Sequence, residues 1–235
     1  MPEPLQTYLD FATQTAYLAG RLTLGYYQGG PGALQAERKA DSSPVTIADR
    51  KAEELVRDRI ATHYPGHAIV GEEFGVKDSA QSPYRWLVDP IDGTRYFAAG
   101  IPLYSISLAL RHGDQFVLGV VYNPETDQLF SGVAGKPASL NGEPIRCSER
   151  TDLREATLCV EIPNRHFPPE LNREVLGQLG TLIDRVERIR MIGVSALGLC
   201  YCACGSFDAY LNLSTGSRIW DVAAGRVILQ AAGAV

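Results

Sequence analysis

The first part of the chain has the apolar spacing of two amphipathic helices. Between positions 5 and 26 apolar residues recur every three or four positions, and the run Gly29-Gly30-Pro31-Gly32 ends this pattern. A second pattern of the same period covers about 49–63 and stops at Tyr64-Pro65-Gly66. Its first turn holds Asp49, where the helix dipole favours negative charge. We therefore predict two helices before residue 64.

The chain then changes to the two-residue period of β-strands. Positions 104–110 alternate strictly between large and small side chains, and 116–122 and 128–133 follow across short turns, which predicts an antiparallel meander. Strand-like and helix-like runs then alternate, and this order predicts a sheet covered by helices. The strand-like runs are 157–162 and 186–192, and the helix-like runs are 170–182, 195–204 and 220–232.

The composition is that of an ordinary globular protein. The 235 residues are 45% hydrophobic and 21% charged, enough to bury a full core in one or two lobes. The net charge of −5 and the lack of a basic stripe disfavour a nucleic-acid partner. No run approaches the roughly 18 apolar residues of a membrane span, and no signal-peptide pattern opens the chain. We expect a soluble, cytoplasmic protein without a membrane partner.

Candidate chemistry concentrates in the segment Asp89-Pro90-Ile91-Asp92-Gly93-Thr94. The strand-like run 85–88 precedes it, so both carboxylates would emerge at the C-terminal end of a strand, where open sheets place ligands. Gly93 and Thr94 can turn backbone N–H groups toward an anion. Because Asp-Pro and Asp-Gly are also common turn dipeptides, an exposed turn is the alternative for this segment taken alone.

Two further acidic segments favour a metal site over a plain turn. Glu72 and Glu73 follow a short apolar run at 68–70, and Asp221 opens an apolar helical pattern. A hard cation such as Mg²⁺ takes oxygen ligands, and several carboxylates must offset its charge. Three acidic sites at the ends of elements are what a pair of Mg²⁺ ions requires.

Five segments follow one another along the chain, at 43–49, 71–73, 89–94, 193–200 and 220–225. In this order they resemble the inositol monophosphatase family of magnesium-dependent, lithium-sensitive phosphatases. The resemblance implies a mixed α+β or α/β fold, the layered αβαβα sandwich of sugar phosphatases. It places an N-terminal α+β lobe with most metal ligands at 1–145 and a C-terminal α/β lobe at 146–235. It also implies a homodimer. Family members continue beyond Val235 through a final strand and helix. If the protein lacks that tail, we expect one sheet to lose a strand and to keep an unpaired strand edge.

The resemblance also assigns two or three Mg²⁺ ions to the site. Glu72, Asp89 and the carbonyl of Ile91 would hold the first ion. Asp89, Asp92 and Asp221 would hold the second, so that Asp89 bridges the two. Glu72 would help to hold a weaker third ion, and a solvated or outer role is the alternative for the neighbouring Glu73.

Hydrolysis would use a water near Thr94, whose hydroxyl can pass a hydrogen bond to Asp49 and so orient the proton acceptor of the water. Thr94, Asp49 and Glu72 are therefore the candidate catalytic residues, and a plain helix-start charge is the alternative for Asp49. For Lys39 a solvated side chain is favoured over a phosphate contact. The candidates for substrate and phosphate binding are Gly93, Thr94, Gly193, Val194, Ser195 and Arg218. A helix N-cap is the alternative for Ser195, and a solvated loop position for Arg218.

Other catalytic designs do not fit the sequence. An aspartyl-phosphate mechanism needs a carboxylate two residues before Asp92, where the chain has Pro90. The segment Gly193-Val194-Ser195-Ala196-Leu197 lacks the closing glycine of a nucleophile elbow. The four histidines form no H-E-x-x-H pair.

The sequence thus predicts a Mg²⁺-dependent phosphomonoesterase for a small polyol or sugar phosphate, with inositol-1-phosphate as the first choice. Alternatives within the resemblance are a 3′(2′),5′-bisphosphate nucleotidase, a histidinol-phosphate phosphatase and a fructose-1,6-bisphosphatase. Two features favour broad specificity: Val194, where the family often has a hydroxyl that can contact the substrate ring, and the neutral loop 212–217, which lacks an acidic contact to an inositol ring. An inactive metal-binding sensor is the alternative from another class, although pure binding has no need of the pair Thr94 and Asp49.

Overall fold

Two long helices open the chain, as their apolar spacing predicts. The computed structural model describes residues 5–30, 34, 36–39, 44–163, 167–214 and 216–234. The Pro31-Gly32 part of the predicted helix break and Ser43 of the first motif lie outside these residues. Helix α1 spans Leu5–Gln28 and helix α2 spans Ile47–His63. A short antiparallel hairpin of β1 (Glu37–Arg38) and β2 (Pro44–Val45) lies between them.

A mixed eight-stranded sheet forms the centre of the molecule. Its strands are β3 (Ala68–Gly71), β4 (Gly75–Lys77), β5 (Tyr84–Asp92), β6 (Ser105–His112), β7 (Gln115–Asn123), β8 (Gln128–Val133), β9 (Ser139–Leu140) and β10 (Glu143–Pro144). They lie in the order β10-β9-β8-β7-β6-β5-β3-β4. Only β3 and β5 pair in parallel. The predicted meander is confirmed as β6, β7 and β8.

Helices cover both faces of this sheet. The later helices are α3 (Thr94–Ala98), α4 (Pro169–Ile183), α5 (Ser195–Ala203) and α6 (Ile219–Ala231). On one face α1 and α2 pack against the large side chains of β6, such as Ile106 and Leu108. On the other face α5 and α6 pack against Ala109 and its neighbours. The small side chains of β6 lie on this second face, where the helices pack close to the strand. They are therefore buried as well, and Ser107 is 1% exposed.

A second, three-stranded parallel sheet completes the layers. It contains β11 (Thr157–Glu161), β12 (Arg188–Arg190) and β13 (Ala209–Asn212), in the order β12-β11-β13. Helix α4 packs against Leu158 and Val160 of β11 on one face of this sheet. Cys159, on the other face of β11, points toward Gly198 on α5. The layers thus follow the order α, β, α, β, α, and the predicted sandwich is confirmed. The division into lobes at residue 145 stays a prediction. No helix of the described residues is long and apolar enough to cross a membrane.

Candidate active site

Strand β5 delivers two carboxylates to one edge of the large sheet. Its pairing with β6 shifts register between Asp89 and Asp92, and Pro90 has no N–H to continue the ladder. Within the irregular turn the N–H of Ile91 donates to Oδ1 of Asp89 at 3.1 Å. Asp89 is 2% exposed. The predicted strand end therefore exists, and the alternative of an exposed turn is wrong.

Gly93 and Thr94 follow at the start of α3. Gly93 has a φ of 96°, in the left-handed region that favours glycine. A Cβ there would lie 2.9 Å from the carbonyl oxygen of Leu103 and from Cγ2 of Val194, so both conformation and space require glycine. Thr94 Oγ1 lies 3.0 Å from Asp49 Oδ1 and 3.0 Å from the carbonyl oxygen of Ile91. The charge of a carboxylate makes it the stronger acceptor for the single hydroxyl proton.

Asp49 serves its helix and the site together. Its Oδ2 accepts hydrogen bonds from the N and Oγ1 of Thr46, at 2.8 and 2.5 Å, in a capping box that starts α2. This box explains why α2 begins two residues before its predicted start. Oδ1 remains for Thr94. Burial raises the pKa of Asp49 to about 6, although the hydrogen bonds from Thr46 and Thr94 act in the opposite direction. Both interpretations of Asp49 therefore hold for the same carboxylate. Oδ2 starts the helix, and Oδ1 is available for the proposed catalytic contact with Thr94.

Glu72 and Glu73 lie in the turn between β3 and β4. The N–H of Glu72 donates to the carbonyl of Val88 on β5 at 3.2 Å, which places the turn beside the carboxylates of β5. Lys39 Nζ contacts Glu72 Oε1 at 2.7 Å and Glu73 Oε1 at 2.5 Å. Burial opposes the charge of Lys39, but the two carboxylates outweigh it and raise its pKa. Burial raises the pKa of Glu73 to about 7. The interpretation of Lys39 as a solvated side chain is wrong, because the tertiary fold brings it to this pair.

Two carboxylates of the site bind the N-termini of helices. Asp92 Oδ2 accepts from the N–H of Ala196 on α5 at 2.7 Å, and Asp221 Oδ2 accepts from the N–H of Arg218 at the start of α6, also at 2.7 Å. Burial and neighbouring carboxylates raise the pKa of Asp89 and of Asp92 well above the usual range. Burial likewise raises the pKa of Asp221 to about 6. Burial is the largest cause of each shift, and the neighbouring carboxylates add to it.

Four of these acidic residues line one open cleft of about 450 Å³. Its lining comprises Pro44, Glu72, Asp89, Ile91, Asp92, Gly93, Thr94, Arg95, Tyr96, Gly193 and Asp221. Among the described residues, no three His, Cys, Asp or Glu side chains already stand close enough to form a preformed metal cage. The donor set still fits a hard divalent cation, because it consists of carboxylate oxygens and one carbonyl oxygen.

The substrate candidates are placed differently from one another. Gly193, with a φ of 63°, lines the cleft beside Tyr96. Val194 is fully buried, so its side chain packs under Gly93 and does not face the cleft. Ser195 is the first residue of α5 and is half-buried; Val194, not Ser195, is the N-cap. Arg218 is exposed and lies outside the cleft lining.

Sequence reasoning missed three residues of the cleft. Pro44 belongs to β2, and Arg95 and Tyr96 belong to the first turn of α3. For Arg95 and Tyr96 a signal existed, because a helix that starts at Thr94 presents its first turn to the same side as the carboxylates. For Pro44 no local pattern pointed to the site.

Comparisons with known proteins agree with this geometry. Residues 4–235 match the model of the inositol monophosphatase family. Inositol monophosphatase 3 of Solanum lycopersicum is 35% identical over 234 residues, which cover 97% of this chain and 85% of that protein. The fructose-1,6-bisphosphatase/inositol-1-monophosphatase of Aquifex aeolicus is 34% identical over 236 residues, which cover 99% and 86%.

A solved structure shows the same fold. The extragenic suppressor protein suhB of Bartonella henselae superimposes with a TM-score of 0.89 at 32% identity, over 97% of this chain and 85% of that one. The match to the family model extends over nearly all of the chain and includes every acidic residue of the cleft. The chain therefore belongs to the inositol monophosphatase family and is a phosphatase, a hydrolase of phosphoric monoesters.

Proposed function

We propose that this phosphatase hydrolyses phosphomonoesters of small polyols and sugars with Mg²⁺ as its cofactor, and that inositol-1-phosphate is a substrate. One observation carries the proposal. The carboxylates of Asp89, Asp92 and Asp221 line the same cleft as Thr94, whose hydroxyl donates to Asp49. A site that only bound cations would have no use for this hydrogen-bonded pair.

The acidic residues divide into two ligand sets. Glu72, Asp89 and the carbonyl of Ile91 would hold a first Mg²⁺ ion, and Glu72 would also contribute to a weaker third. Asp89, Asp92 and Asp221 would hold a second. Bound Mg²⁺ supplies charge neutralisation at the phosphoryl oxygens and favours ionisation of the attacking water. Because burial raises the pKa of each of these aspartates, a cation among them would offset the cost of their charge.

Thr94 and Asp49 would orient the attacking water and accept its proton. Thr94 donates its proton to Asp49 Oδ1, which leaves a lone pair of Oγ1 to accept a hydrogen bond from a water in the cleft. With a pKa of about 6, Asp49 is ionised at neutral pH and still basic enough to take up a proton through Thr94. Gly93 and Thr94 would turn backbone N–H groups toward the phosphate.

A second candidate activity is the hydrolysis of bisphosphates such as fructose-1,6-bisphosphate. A second cavity of about 350 Å³ shares Pro44 and Arg95 with the cleft and adds Arg38. Guanidinium groups beside a phosphate site suit a second anionic group on the substrate. The Aquifex relative carries both activities in its name. Arg218 remains a candidate for the same role, and the neutral loop 212–217 supports broad specificity.

The test is phosphate release from a panel of esters with Mg²⁺ and with a chelator. The panel contains inositol-1-phosphate, fructose-1,6-bisphosphate, histidinol phosphate and a nucleotide 3′,5′-bisphosphate. We expect Mg²⁺-dependent turnover of inositol-1-phosphate and of at least one other ester. The Asp89→Asn variant should lose several orders of magnitude in rate with its fold intact, because Asp89 would contribute charge to two ions. Equal turnover with chelator, by wild type and variant alike, would contradict the metal mechanism.

Other outcomes of the panel separate the alternatives. If one ester is preferred over the others by more than about a thousandfold, broad specificity is excluded. The preferred ester would then identify the class of the physiological substrate. Cation binding without turnover of any ester would indicate a metal-binding sensor. We further propose that Li⁺ inhibits by replacing the ion at Asp89, Asp92 and Asp221, and that the protein is a cytoplasmic homodimer. Inhibition kinetics with Li⁺ and light scattering measure two of these properties.

A further inference from the structure

A fully buried carboxylate on α2 has no role in the mechanism above. Glu53 is 0% exposed, and burial of a charge is costly unless hydrogen bonds and a counter-ion compensate it. Its Oε2 accepts from the N–H of Glu73 at 2.7 Å, and its Oε1 accepts from the N–H of Phe74 at 3.2 Å. Arg57 Nε donates to Oε1 at 2.7 Å. Glu53 is thus bound to the backbone of the turn that follows β3.

Arg57 holds the far end of the same turn. Its Nη2 donates to the carbonyl of Gly75 at 2.5 Å, and its guanidinium carbon lies 5.8 Å from the centre of the Phe74 ring. The side chain of Arg57 is only 16% exposed. The ion pair of Glu53 and Arg57 therefore contacts the backbone at three positions within the turn 71–75.

Gly71 provides the space for this ion pair. A Cβ at position 71 would lie 2.0 Å from Glu53 Oε1 and 2.9 Å from Arg57 Nη2. Gly71 ends β3 in regular parallel pairing with Val88, so its backbone conformation is one that other residues adopt. Glycine is required at this position for the approach of the carboxylate.

The ion pair connects the two sides of the cleft through one helix. Asp49, Glu53 and Arg57 follow each other at intervals of four residues, so they lie along one face of α2. At the start of this face Asp49 accepts from Thr94, and one and two turns later Glu53 and Arg57 hold the turn that carries Glu72. Helix α2 therefore contacts both Thr94 and the turn that carries Glu72.

We propose that Glu53 and Arg57 are positioning residues that hold Glu72 where it can bind a divalent cation. The inference rests on the proposed function, in which Glu72 is a cation ligand. Lys39 binds the side chains of Glu72 and Glu73, whereas Glu53 and Arg57 bind the backbone of the turn that carries them. Groups that orient metal ligands typically change cation affinity or activity by about 10–100-fold when they are removed.

The first test is direct titration of the apo protein with Mn²⁺ or Mg²⁺ by calorimetry, with phosphate release measured in parallel. Glu53→Gln keeps the size of the side chain but points an NH₂ group at an N–H or guanidinium donor. We expect cation affinity to fall by about tenfold or more, and turnover at saturating cation to fall less. Ile60→Val is the matched control, because Ile60 is a buried residue of α2, 1% exposed, whose side chain packs in the apolar core. It should lower thermal stability without changing cation affinity.

The second test uses Gly71. Gly71→Ala should push Glu53 out of the turn and weaken cation binding as Glu53→Gln does. In a Glu53→Ala background the closest clash, with the Glu53 carboxylate, is gone, and only the flexible end of Arg57 remains within 3 Å. Gly71→Ala should then cost much less, a coupling that a double-mutant cycle measures. If Glu53→Gln does not fold, Arg57→Lys, which cannot reach both Glu53 and Gly75, gives the same comparison with a smaller expected loss.

The outcomes distinguish this inference from the proposed function. Wild-type affinity in Glu53→Gln, or strictly additive effects of Gly71→Ala and Glu53→Ala, would overturn the positioning role alone. A wild-type protein that binds neither Mg²⁺ nor Mn²⁺ and ignores chelator would overturn the proposed function, and the positioning role with it.

Discussion

Oδ2 of Asp92 and the backbone N of Ala196 lie 2.7 Å apart, although 104 positions separate the two residues. Helix α5 has no side-chain cap of its own, because its N-cap residue is Val194. The carboxylate at the end of β5 therefore satisfies an N–H at the start of α5. One side chain fixes the second half of the chain to the acidic edge of the large sheet.

Two variants of Asp92 can distinguish its role in capping α5 from its proposed role in catalysis. Asn at position 92 keeps an oxygen that can accept from Ala196, whereas Ala keeps none. We expect both Asp92→Asn and Asp92→Ala to lose phosphatase activity, because both remove the charge. The free energy of unfolding should be lower in Asp92→Ala than in Asp92→Asn by about 1 kcal/mol, the usual worth of a helix cap. Urea unfolding measures this difference, and equal stabilities would show that the cap contributes nothing.

The hydroxyl of Thr94 should matter more than the rest of its side chain. Thr94→Ser keeps the donor to Asp49, and Thr94→Ala removes it. We expect kcat to fall by about 100-fold or more in Thr94→Ala, the typical size of a general acid–base contribution, with a much smaller change in KM. Thr94→Ser should stay within about tenfold of wild type. Steady-state kinetics at saturating Mg²⁺ provide the comparison, and a Thr94→Ala enzyme of near-normal kcat would exclude the proposed role.

Gly93 should tolerate alanine far less well than another glycine of similar conformation. Gly93→Ala places a Cβ 2.9 Å from the backbone of Leu103 and adds the strain of a left-handed φ. Gly113, with a φ of 57° and nothing within 4 Å of its Cβ position, is the matched control that carries only the strain. The strain costs about 1–2 kcal/mol in either variant. We expect chemical unfolding to show a clearly larger loss for Gly93→Ala, and equal losses would refute the steric argument.

Acid should weaken the fold through His67. Trp86 Nε1 donates to His67 Nδ1 at 3.1 Å, so this nitrogen must be unprotonated, and burial lowers the pKa of His67 below its ordinary value of 6.5. Above pH 6.5 the imidazole is neutral in both the folded and the unfolded chain, and its contribution to stability is complete. As the pH falls below 6.5, the unfolded chain takes up a proton that the folded chain resists, so the free energy of unfolding decreases.

Two variants isolate that effect. His67→Gln retains an oxygen acceptor for Trp86 and removes the titration, so its unfolding free energy should depend less on pH between about 6.5 and 5. His63→Gln, at an exposed position near the end of α2, should keep the wild-type dependence. Urea unfolding at several pH values measures both, and an unchanged profile in His67→Gln would contradict the prediction.

Arg218 should affect bisphosphates more than monophosphates. Its backbone N–H caps α6 through Asp221, so Arg218→Ala removes the guanidinium without removing the cap. If the side chain reaches a second phosphate, kcat/KM for fructose-1,6-bisphosphate should fall by about tenfold, the worth of a charge-assisted hydrogen bond, while that for inositol-1-phosphate stays constant. Arg226→Ala, an exposed arginine on the same helix, is the control. Unaltered bisphosphate turnover would leave Arg38 and Arg95 as the remaining candidates.

Local patterns were sufficient for most elements of the fold. The three-to-four residue spacing predicts α1 and α2, and the strict alternation at 104–110 predicts β6 and, with its turns, the meander. The short strands β9, β10 and β13 were not predicted, because two to four residues carry too little periodicity. Periodicity also shows which face of a strand carries the large apolar side chains. It does not show that helices will bury the small side chains on the opposite face, as they do on β6.

The sequence by itself determined the acidic turn at the heart of the site. Pro90 interrupts the ladder and Gly93 permits a left-handed φ, so the backbone turn that carries Asp89, Asp92 and Thr94 follows from residues within one short segment. Only the tertiary structure decided which distant groups meet this turn. Lys39 contacts Glu72, Val194 is buried under Gly93, and Glu53 reaches the backbone of the turn after β3. Contacts of this kind depend on how helices pack on a sheet, and packing distances are set by the volumes of many side chains together, which no local pattern records.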